Sequence, residues 1–165
     1  MLFLDVDGPL IPLGGKPPKD PEGRAVKVDA TGTWDGTSNP LLSRLDPTHG
    51  NRLTTLGCEL VWATTWMADA NEEVAPRIGL PELPVVDWPE DEAPLTPGLH
   101  WKTRALVAWA AGRPFVWVDD EISDADRAWV TANHPGRALL HRVDPRAGLC
   151  DADFAAIARW LAEHA

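Results

Sequence analysis

The chain opens with Met1-Leu2-Phe3-Leu4-Asp5-Val6-Asp7-Gly8, an apolar strand that runs into two carboxylates and a glycine turn. Successive side chains of a strand point to opposite faces, but the chain begins to turn at the strand's carboxyl end. Asp5 and Asp7 can therefore converge on one cation and one anionic substrate. By itself this pattern is explained equally well as a strand ending in an acidic turn, because Asp and Gly are common turn residues.

Length and composition bound the class of protein. With 165 residues and 44% hydrophobic content, we expect a single domain over residues 1–165 with a real core. A net charge of −10 opposes nonspecific attraction to nucleic acid or anionic membranes, although it leaves room for a local basic patch. No apolar run reaches the roughly 20 residues that span a bilayer, so we expect a cytoplasmic protein without a membrane partner. Cys58 and Cys150 predict neither a zinc site nor a disulfide framework.

Apolar runs alternate with amphipathic stretches, as they do in a parallel sheet covered by helices. Strands are predicted at about Leu2 to Leu4, Glu59 to Ala63, Phe115 to Val118 and Ala138 to Val143, with Val85-Val86 as a further candidate. Helices are predicted at Asp46 to Gly57, Asn71 to Ile78, Leu99 to Ala111, Ser123 to about Ala132 and Asp151 to about Glu163. Between Ile11 and Pro40, the alternation of Ala25 to Ala30 predicts one arm of a small hairpin or flap. The predicted architecture is a doubly wound α/β domain with helices on both faces of a parallel sheet.

In such a fold, ligands bind outside the carboxyl ends of the strands, so the residues directly after each strand form the candidate site. Those positions, together with the start of the long helix after residue 99, carry carboxylates, hydroxyls and one amine. They are Asp5, Asp7, Thr64, Thr65, Lys102, Asp119 and Asp120. Phosphoryl transfer needs these groups.

The ordered set Asp5-x-Asp7-Gly8, Thr64, Lys102 and Asp119-Asp120 resembles the haloacid dehalogenase (HAD) superfamily of phosphohydrolases over nearly the whole chain. Each motif is weak alone, but four of them in this order are specific. The stretches LFLDVDGPL, ELVWATTW and FVWVDDE also resemble a branch of HAD domains linked to RNA repair. The intervals between motifs leave little room for an inserted cap domain, so we expect a capless or small-cap member with an open site.

The resemblance implies a role for each motif. Asp5 would attack phosphorus and form an aspartyl-phosphate, and Asp7 would act as general acid and then as general base. Thr64, with Thr65 as its competitor, would hydrogen-bond the phosphoryl oxygens. Lys102 would neutralise their charge and that of Asp5.

An oxygen-only ligand set suits Mg²⁺ as the cofactor. The resemblance implies that Asp5, the backbone carbonyl of Asp7 and Asp120 hold the ion, with Asp119 as the second choice because the first acid of the pair usually holds the lysine. Asp124 is either an additional acid that orients a water or a solvated residue on the first turn of a helix.

Several residues near these motifs are candidates for substrate contact: Gly8, Thr65 and Trp66. Trp66 and Trp34 either stack on a base or sugar or, as we favour, close the core from above. Pro9 departs from the family pattern and removes a backbone donor close to the site.

These observations favour a Mg²⁺-dependent phosphatase whose substrate is a phosphorylated small molecule or a nucleic-acid end. An open site tolerates a large substrate, or it relies on a second copy or a partner protein to exclude water. The alternative is a noncatalytic phosphate- or metal-binding module that acts with a partner. A receiver-like module is disfavoured, because there the acidic pair precedes the phosphorylated aspartate, whereas here it comes last.

Overall fold

The computed structural model describes residues 1–14, 39–88 and 97–164. Within these ranges a parallel sheet is formed by β1 (Leu2–Leu4), β2 (Leu60–Trp62), β3 (Phe115–Asp119) and β4 (Ala138–Arg142), in the order β2-β1-β3-β4. The helices are α1 (His49–Thr55), α2 (Ala75–Ile78), α3 (Thr103–Ala110), α4 (Asp124–Asn133) and α5 (Asp151–His164). A 3-10 helix at Pro40–Arg44, which the sequence analysis missed, precedes α1. The predicted hairpin arm at 25–30 lies outside the described residues.

Alternate residues of the strands enter two separate apolar layers. Leu4 and Val118 lie in the layer that α1, α2 and α5 cover. Phe3 and Trp117 lie in the layer that α3 and α4 cover. Helices therefore pack on both faces of a parallel sheet, which confirms the predicted doubly wound α/β architecture.

The start of α3 differs from the prediction. The helix was predicted from Leu99, but it begins at Thr103. Residues before it form a turn in which the Thr103 N–H donates to the His100 carbonyl at 3.1 Å. Lys102 consequently lies at the N-cap position of α3 and not within the helix.

Two other predicted elements are shorter than expected. Val85 contributes one parallel bridge to Trp62 and no longer strand. The first helix was predicted with Asp46 as its N-cap, but it starts at His49, because the Asp46 carboxylate accepts hydrogen bonds from the N–H and hydroxyl of Thr48 and closes a turn ahead of it.

The predicted helix from Asn71 to Ile78 is split in two. Pro76 has no N–H to donate to the carbonyl four residues earlier. The segment Ala70–Val74 is accordingly π-helical, with the Ala75 N–H bonded to the Ala70 carbonyl, before α2 continues to Ile78. Among the residues that the structure describes, no helix has the length and apolar character to cross a membrane.

Candidate active site

The side chain of Lys102 joins the ends of two neighbouring strands. Its Nζ lies 2.8 Å from Asp5 Oδ2 and 2.8 Å from Asp119 Oδ2. Asp5 follows β1 and Asp119 ends β3, and the two strands are held together there by the Asp5 N–H bond to the Val118 carbonyl. All three charged side chains are buried, with residue exposures of 7% for Asp5, 3% for Lys102 and 0% for Asp119. The structure thus brings together three of the predicted site residues.

Burial controls the charges of this cluster. It raises the pKa of Asp5 to about 7; the charge of Lys102 opposes that rise and the charge of Asp119 adds to it. Burial lowers the pKa of Lys102, but the two carboxylates outweigh it and hold that pKa above its usual range. Lys102 is therefore a permanent cation between the two acids at neutral pH.

Asp119 and Asp120 occupy different environments. Asp119 Oδ2 accepts hydrogen bonds from Lys102 Nζ and, at 3.2 Å, from Trp117 Nε1, while Oδ1 accepts from the Glu121 N–H at 2.9 Å. Asp120 is half-buried, and its carboxylate accepts a hydrogen bond from its own backbone. Burial and the charge of Asp119 both raise the pKa of Asp120. Asp120 is therefore the more exposed of the two acids, and the metal-binding roles of both stay predictions.

The donor set fits a hard divalent cation. Carboxylate oxygens of Asp5, Asp119 and Asp120 all lie within 4.8 Å of one another. One lysine pairs with two of these three acids, so negative charge is left in excess. Oxygen ligands and a surplus of negative charge are the conditions that Mg²⁺ prefers.

A second group, His100, Asp119 and Glu121, also places its ligand atoms within 4.8 Å of one another. Neither ring nitrogen of His100 is free to bind a metal, because Nδ1 accepts from the Lys102 N–H and Nε2 consequently carries the proton and donates to Glu121 Oε2. The Asp5, Asp119 and Asp120 group is the better metal candidate.

Gly8 is required by the packing of Asp120. Its φ of +85° lies in the left-handed region, and a Cβ at this position would collide with the Asp120 carboxylate. The turn is closed by hydrogen bonds from the Gly8 N–H to the Ile11 carbonyl at 3.0 Å and from the Leu10 N–H to the Val6 carbonyl at 3.0 Å. The loop after β1 therefore lies directly against the acid that follows β3.

Trp66 lies beside Asp7. Its Nε1 donates to Asp7 Oδ2 at 2.9 Å, and its backbone N–H donates to Thr64 Oγ1 at 3.3 Å. The ring is half-buried and packs against the layer under α1 and α2. Trp66 therefore packs over the core and orients Asp7. The predicted contact of Trp66 with substrate stays a prediction. Trp34 lies outside the described residues.

Thr64 and Thr65 follow β2 with opposite exposure. Thr64 is completely buried, and its carbonyl accepts from Trp88 Nε1 at 3.1 Å. Thr65 is exposed. Thr64 lies at the end of the strand beside β1, and its phosphate-binding role, with Thr65 as its competitor, stays a prediction.

Sequence reasoning missed Asp126, a completely buried carboxylate on the first turn of α4. Its Oδ1 accepts from the His100 N–H at 2.8 Å and from Thr103 Oγ1 at 2.6 Å. Its Oδ2 accepts from the N–H and hydroxyl of Ser123 at 2.8 and 2.6 Å. Asp126 thereby ties α4 to the segment that carries Lys102. The Ser123-x-x-Asp126 spacing of a capping box was a readable signal for half of this network.

Hydrogen bonding sets the charge of Asp126. Burial raises its pKa, but hydrogen bonds from Ser123, Thr103 and His100 outweigh burial and hold the pKa below its usual range. His100 adds a second tie, because its Nδ1 accepts from the Lys102 N–H at 3.2 Å and its Nε2 lies 3.2 Å from Glu121 Oε2. Asp124, by contrast, is fully exposed and lies 3.9 Å from Arg127, so it is the solvated residue of the two alternatives.

A family model described as "HAD domain in Swiss Army Knife RNA repair proteins" matches residues 1–154, a range that contains every residue of the site. The chain belongs to this family. Comparison with curated proteins finds no match, and comparison with solved structures finds none either. The predicted membership of the HAD superfamily, and of its branch linked to RNA repair, is confirmed. The family places this domain in the HAD superfamily of hydrolases, which includes phosphatases.

Proposed function

We propose that this HAD domain is a Mg²⁺-dependent phosphatase that hydrolyses a phosphomonoester through an aspartyl-phosphate at Asp5. The favoured substrates are a nucleotide or the terminal phosphate of a polynucleotide. The family supports the reaction class, and the open site expected from the short intervals between motifs supports a large substrate.

The placement of Lys102 carries this proposal. A buried cation 2.8 Å from Asp5 lowers the repulsion between the carboxylate and an incoming phosphate dianion. Asp119 fixes that cation from the other side. Asp5 Oδ1 accepts from the Val6 N–H at 2.8 Å, which fixes the rotation of the carboxylate, while its side chain keeps 11% exposure toward solvent.

The chain's own residues account for the proton transfers. In the first step an Asp5 oxygen bonds to phosphorus while the bond from phosphorus to the leaving oxygen breaks, and Asp7 gives that oxygen a proton. In the second step Asp7 takes a proton from water as the water oxygen attacks phosphorus, which releases inorganic phosphate and restores Asp5. Trp66 Nε1 at 2.9 Å from Asp7 Oδ2 orients the carboxyl for both steps.

Asp5, Asp120 and the backbone carbonyl of Asp7 would hold Mg²⁺, with Asp119 as a less available ligand because Lys102 and Trp117 engage it. When bound, the ion would supply positive charge that stabilises the ionised form of Asp5 and the charge of the phosphoryl group.

The test is phosphate release from p-nitrophenyl phosphate, a nucleotide panel and 3′- or 5′-phosphorylated oligonucleotides, each with Mg²⁺ or EDTA. We expect metal-dependent turnover that Asp5→Asn abolishes. Asp124→Asn removes the same charge from an exposed position and is the matched control, which should turn over at the wild-type rate.

Absence of turnover on every substrate, in folded protein that binds Mg²⁺, would contradict the enzymatic proposal. That outcome would favour a phosphate- or metal-binding module that acts with a partner protein or a second copy over the open site.

A further inference from the structure

A groove of about 420 Å³ lies at the outer edge of the sheet, between α4, β4 and α5. It is distinct from the cluster around Lys102, which lies between β1 and β3. Its polar and aromatic walls are formed by Arg127, Thr131, His134, Arg137, Trp160 and His164.

The lining is cationic although the chain carries a net charge of −10. It contains two arginines and two histidines and no carboxylate. Arg137 Nη1 lies 2.9 Å from His164 Nε2, and His164 Nδ1 lies 2.7 Å from the Trp160 carbonyl. Since a carbonyl only accepts, Nδ1 carries the proton and Nε2 accepts from Arg137, so among the described residues the Arg137 guanidinium is held by an uncharged partner.

Arg127 is held in a similar way. Its Nη1 donates to the Leu140 carbonyl of β4, and its exposed neighbour Asp124 lies 3.9 Å away. An ion pair of that length at the surface contributes little. Arg127 therefore presents an oriented positive charge over the middle of the edge strand.

The groove also offers recognition beyond charge. Trp160 is half-buried and stacks on His164 with ring centroids 4.5 Å apart. His134 is 7% exposed; its Nε2 lies 3.1 Å from the Arg113 carbonyl and so carries the proton, while its buried Nδ1 has no hydrogen-bond partner within the described ranges. The stacked aromatic surface of Trp160 and His164 suits a nucleobase better than it suits an acidic peptide.

The basic residues continue from the groove to the active site. Arg142 ends β4, and its Nε donates to the Asp120 carbonyl at 2.8 Å. Arg142, Arg127 at the level of Leu140, and Arg137 thus follow the edge strand away from the candidate metal ligands. The five residue steps from 137 to 142 span about 17 Å at about 3.3 Å per residue, which is long enough to contact a few nucleotides of a single strand.

We propose that this groove binds the backbone phosphates and a base of single-stranded nucleic acid whose phosphorylated end lies at Asp5. Binding in the groove stands on the residues just described, and only the reaction at the strand's end rests on the proposed function. In an acidic protein, a basic surface attracts a polyanion, and a basic row that leads from this groove to the site would orient the strand relative to the site.

The test measures oligonucleotide binding in the Asp5→Asn background, where turnover does not interfere. Fluorescence anisotropy compares single-stranded RNA and DNA with the variants Arg127→Ala/Arg137→Ala and Arg137→Glu across a salt series. We expect at least a tenfold weaker affinity for the double variant, and a slope of log affinity against log salt reduced by about 1.4, since each lost phosphate contact contributes about 0.7. The Arg137→Glu variant should also bind more weakly and show a smaller salt slope.

Arg77→Ala is the matched control, because Arg77 lies on α2 near the opposite edge of the sheet and pairs with Glu73 at 2.9 Å. It should retain wild-type affinity and salt slope.

Equal binding by wild type and the double variant would overturn the groove proposal even if phosphatase activity were present. Displacement of the oligonucleotide by a poly-glutamate peptide at equal affinity would overturn it in favour of an acidic protein partner. If the wild-type protein shows no phosphatase activity but the groove still binds oligonucleotide, only the proposed function is refuted.

Discussion

The turns that follow β1 and β3 meet at one site but are held by different means. The turn after β1 closes on itself through backbone hydrogen bonds such as Gly8 N–H to the Ile11 carbonyl. The turn after β3 is held by side chains that reach a distant segment, above all Asp126 bonded to His100 and Thr103. The first turn is therefore encoded locally, whereas the second depends on contacts between residues more than 20 positions apart. Substitutions should separate these two kinds of support.

Lys102→Met should have the largest effect, because it leaves Asp5 and Asp119 buried without a cation. We expect a loss of about 3–5 kcal/mol in the free energy of unfolding and phosphate release at background level. Urea unfolding in EDTA and the phosphatase assay measure the two effects. Arg159→Met, at an exposed position of α5, is the control and should change neither. Unchanged stability of Lys102→Met would mean that the lysine does not compensate buried charge.

Asp126→Asn should come next. It removes charge from a carboxylate that accepts four hydrogen bonds, so we expect a loss of about 1.5–3 kcal/mol in unfolding free energy at pH 7. Because the Lys102 segment loosens, kcat should fall more than KM rises. Asp124→Asn, two residues away and exposed, should leave stability and both kinetic constants near wild type. A fall in stability with kinetic constants intact would limit Asp126 to a structural role.

Protonation of the Asp126 carboxylate makes the free energy of unfolding depend on pH. The pKa of Asp126 is lower in the folded protein than in the unfolded chain, so its stabilisation is complete above its ordinary pKa of about 3.9 and is lost as the pH falls through the lower, folded value. The stability difference between wild type and Asp126→Asn should therefore shrink on acidification below about pH 4. Urea unfolding at a series of pH values measures it, and a constant difference down to pH 2 would contradict the assignment.

Gly8→Ala tests the contact between the two turns. The positive φ costs about 1–2 kcal/mol for a residue with a Cβ, and the new methyl displaces the Asp120 carboxylate. Mg²⁺ affinity, measured by calorimetry, should fall about tenfold. Gly57→Ala is the matched control, because Gly57 also has a positive φ of +68° but nothing within 4 Å of an added Cβ. It should lose stability and keep Mg²⁺ affinity; equal Mg²⁺ affinity in the Gly8 variant would place Asp120 outside the metal site.

Trp66→Phe should have the smallest effect. It removes the indole N–H that donates to Asp7 and keeps most of the ring's packing. We therefore expect a loss of about 0.5–1.5 kcal/mol in the free energy of unfolding and a several-fold lower kcat. The control is Trp109→Phe, which alters a tryptophan packed on the opposite layer. Equal kcat values for the two variants would show that the hydrogen bond does not orient Asp7.

The contrast between the turns also explains what the sequence could and could not predict. Strands β1 and β3 and their terminal acids were predicted correctly because apolar runs and the residues after them are contiguous. The start of α3 was misplaced by four residues, since the turn around His100 is fixed by Asp126, which is 26 residues away. The length of the Val85 segment was missed for a similar reason, because a single bridge to Trp62 leaves no periodic pattern.

The central claim is that phosphate passes through a covalent bond to Asp5, and trapping that intermediate tests it most directly. Acid quenching of the Asp7→Asn variant during reaction with p-nitrophenyl phosphate, whose leaving oxygen needs no proton from Asp7, should show a phosphoryl group on Asp5 by mass spectrometry of the peptides, because the second step then lacks its base. The account predicts this adduct in the presence of Mg²⁺ and its absence in EDTA. A phosphoryl group on another residue, or undiminished turnover by Asp5→Asn, would contradict it.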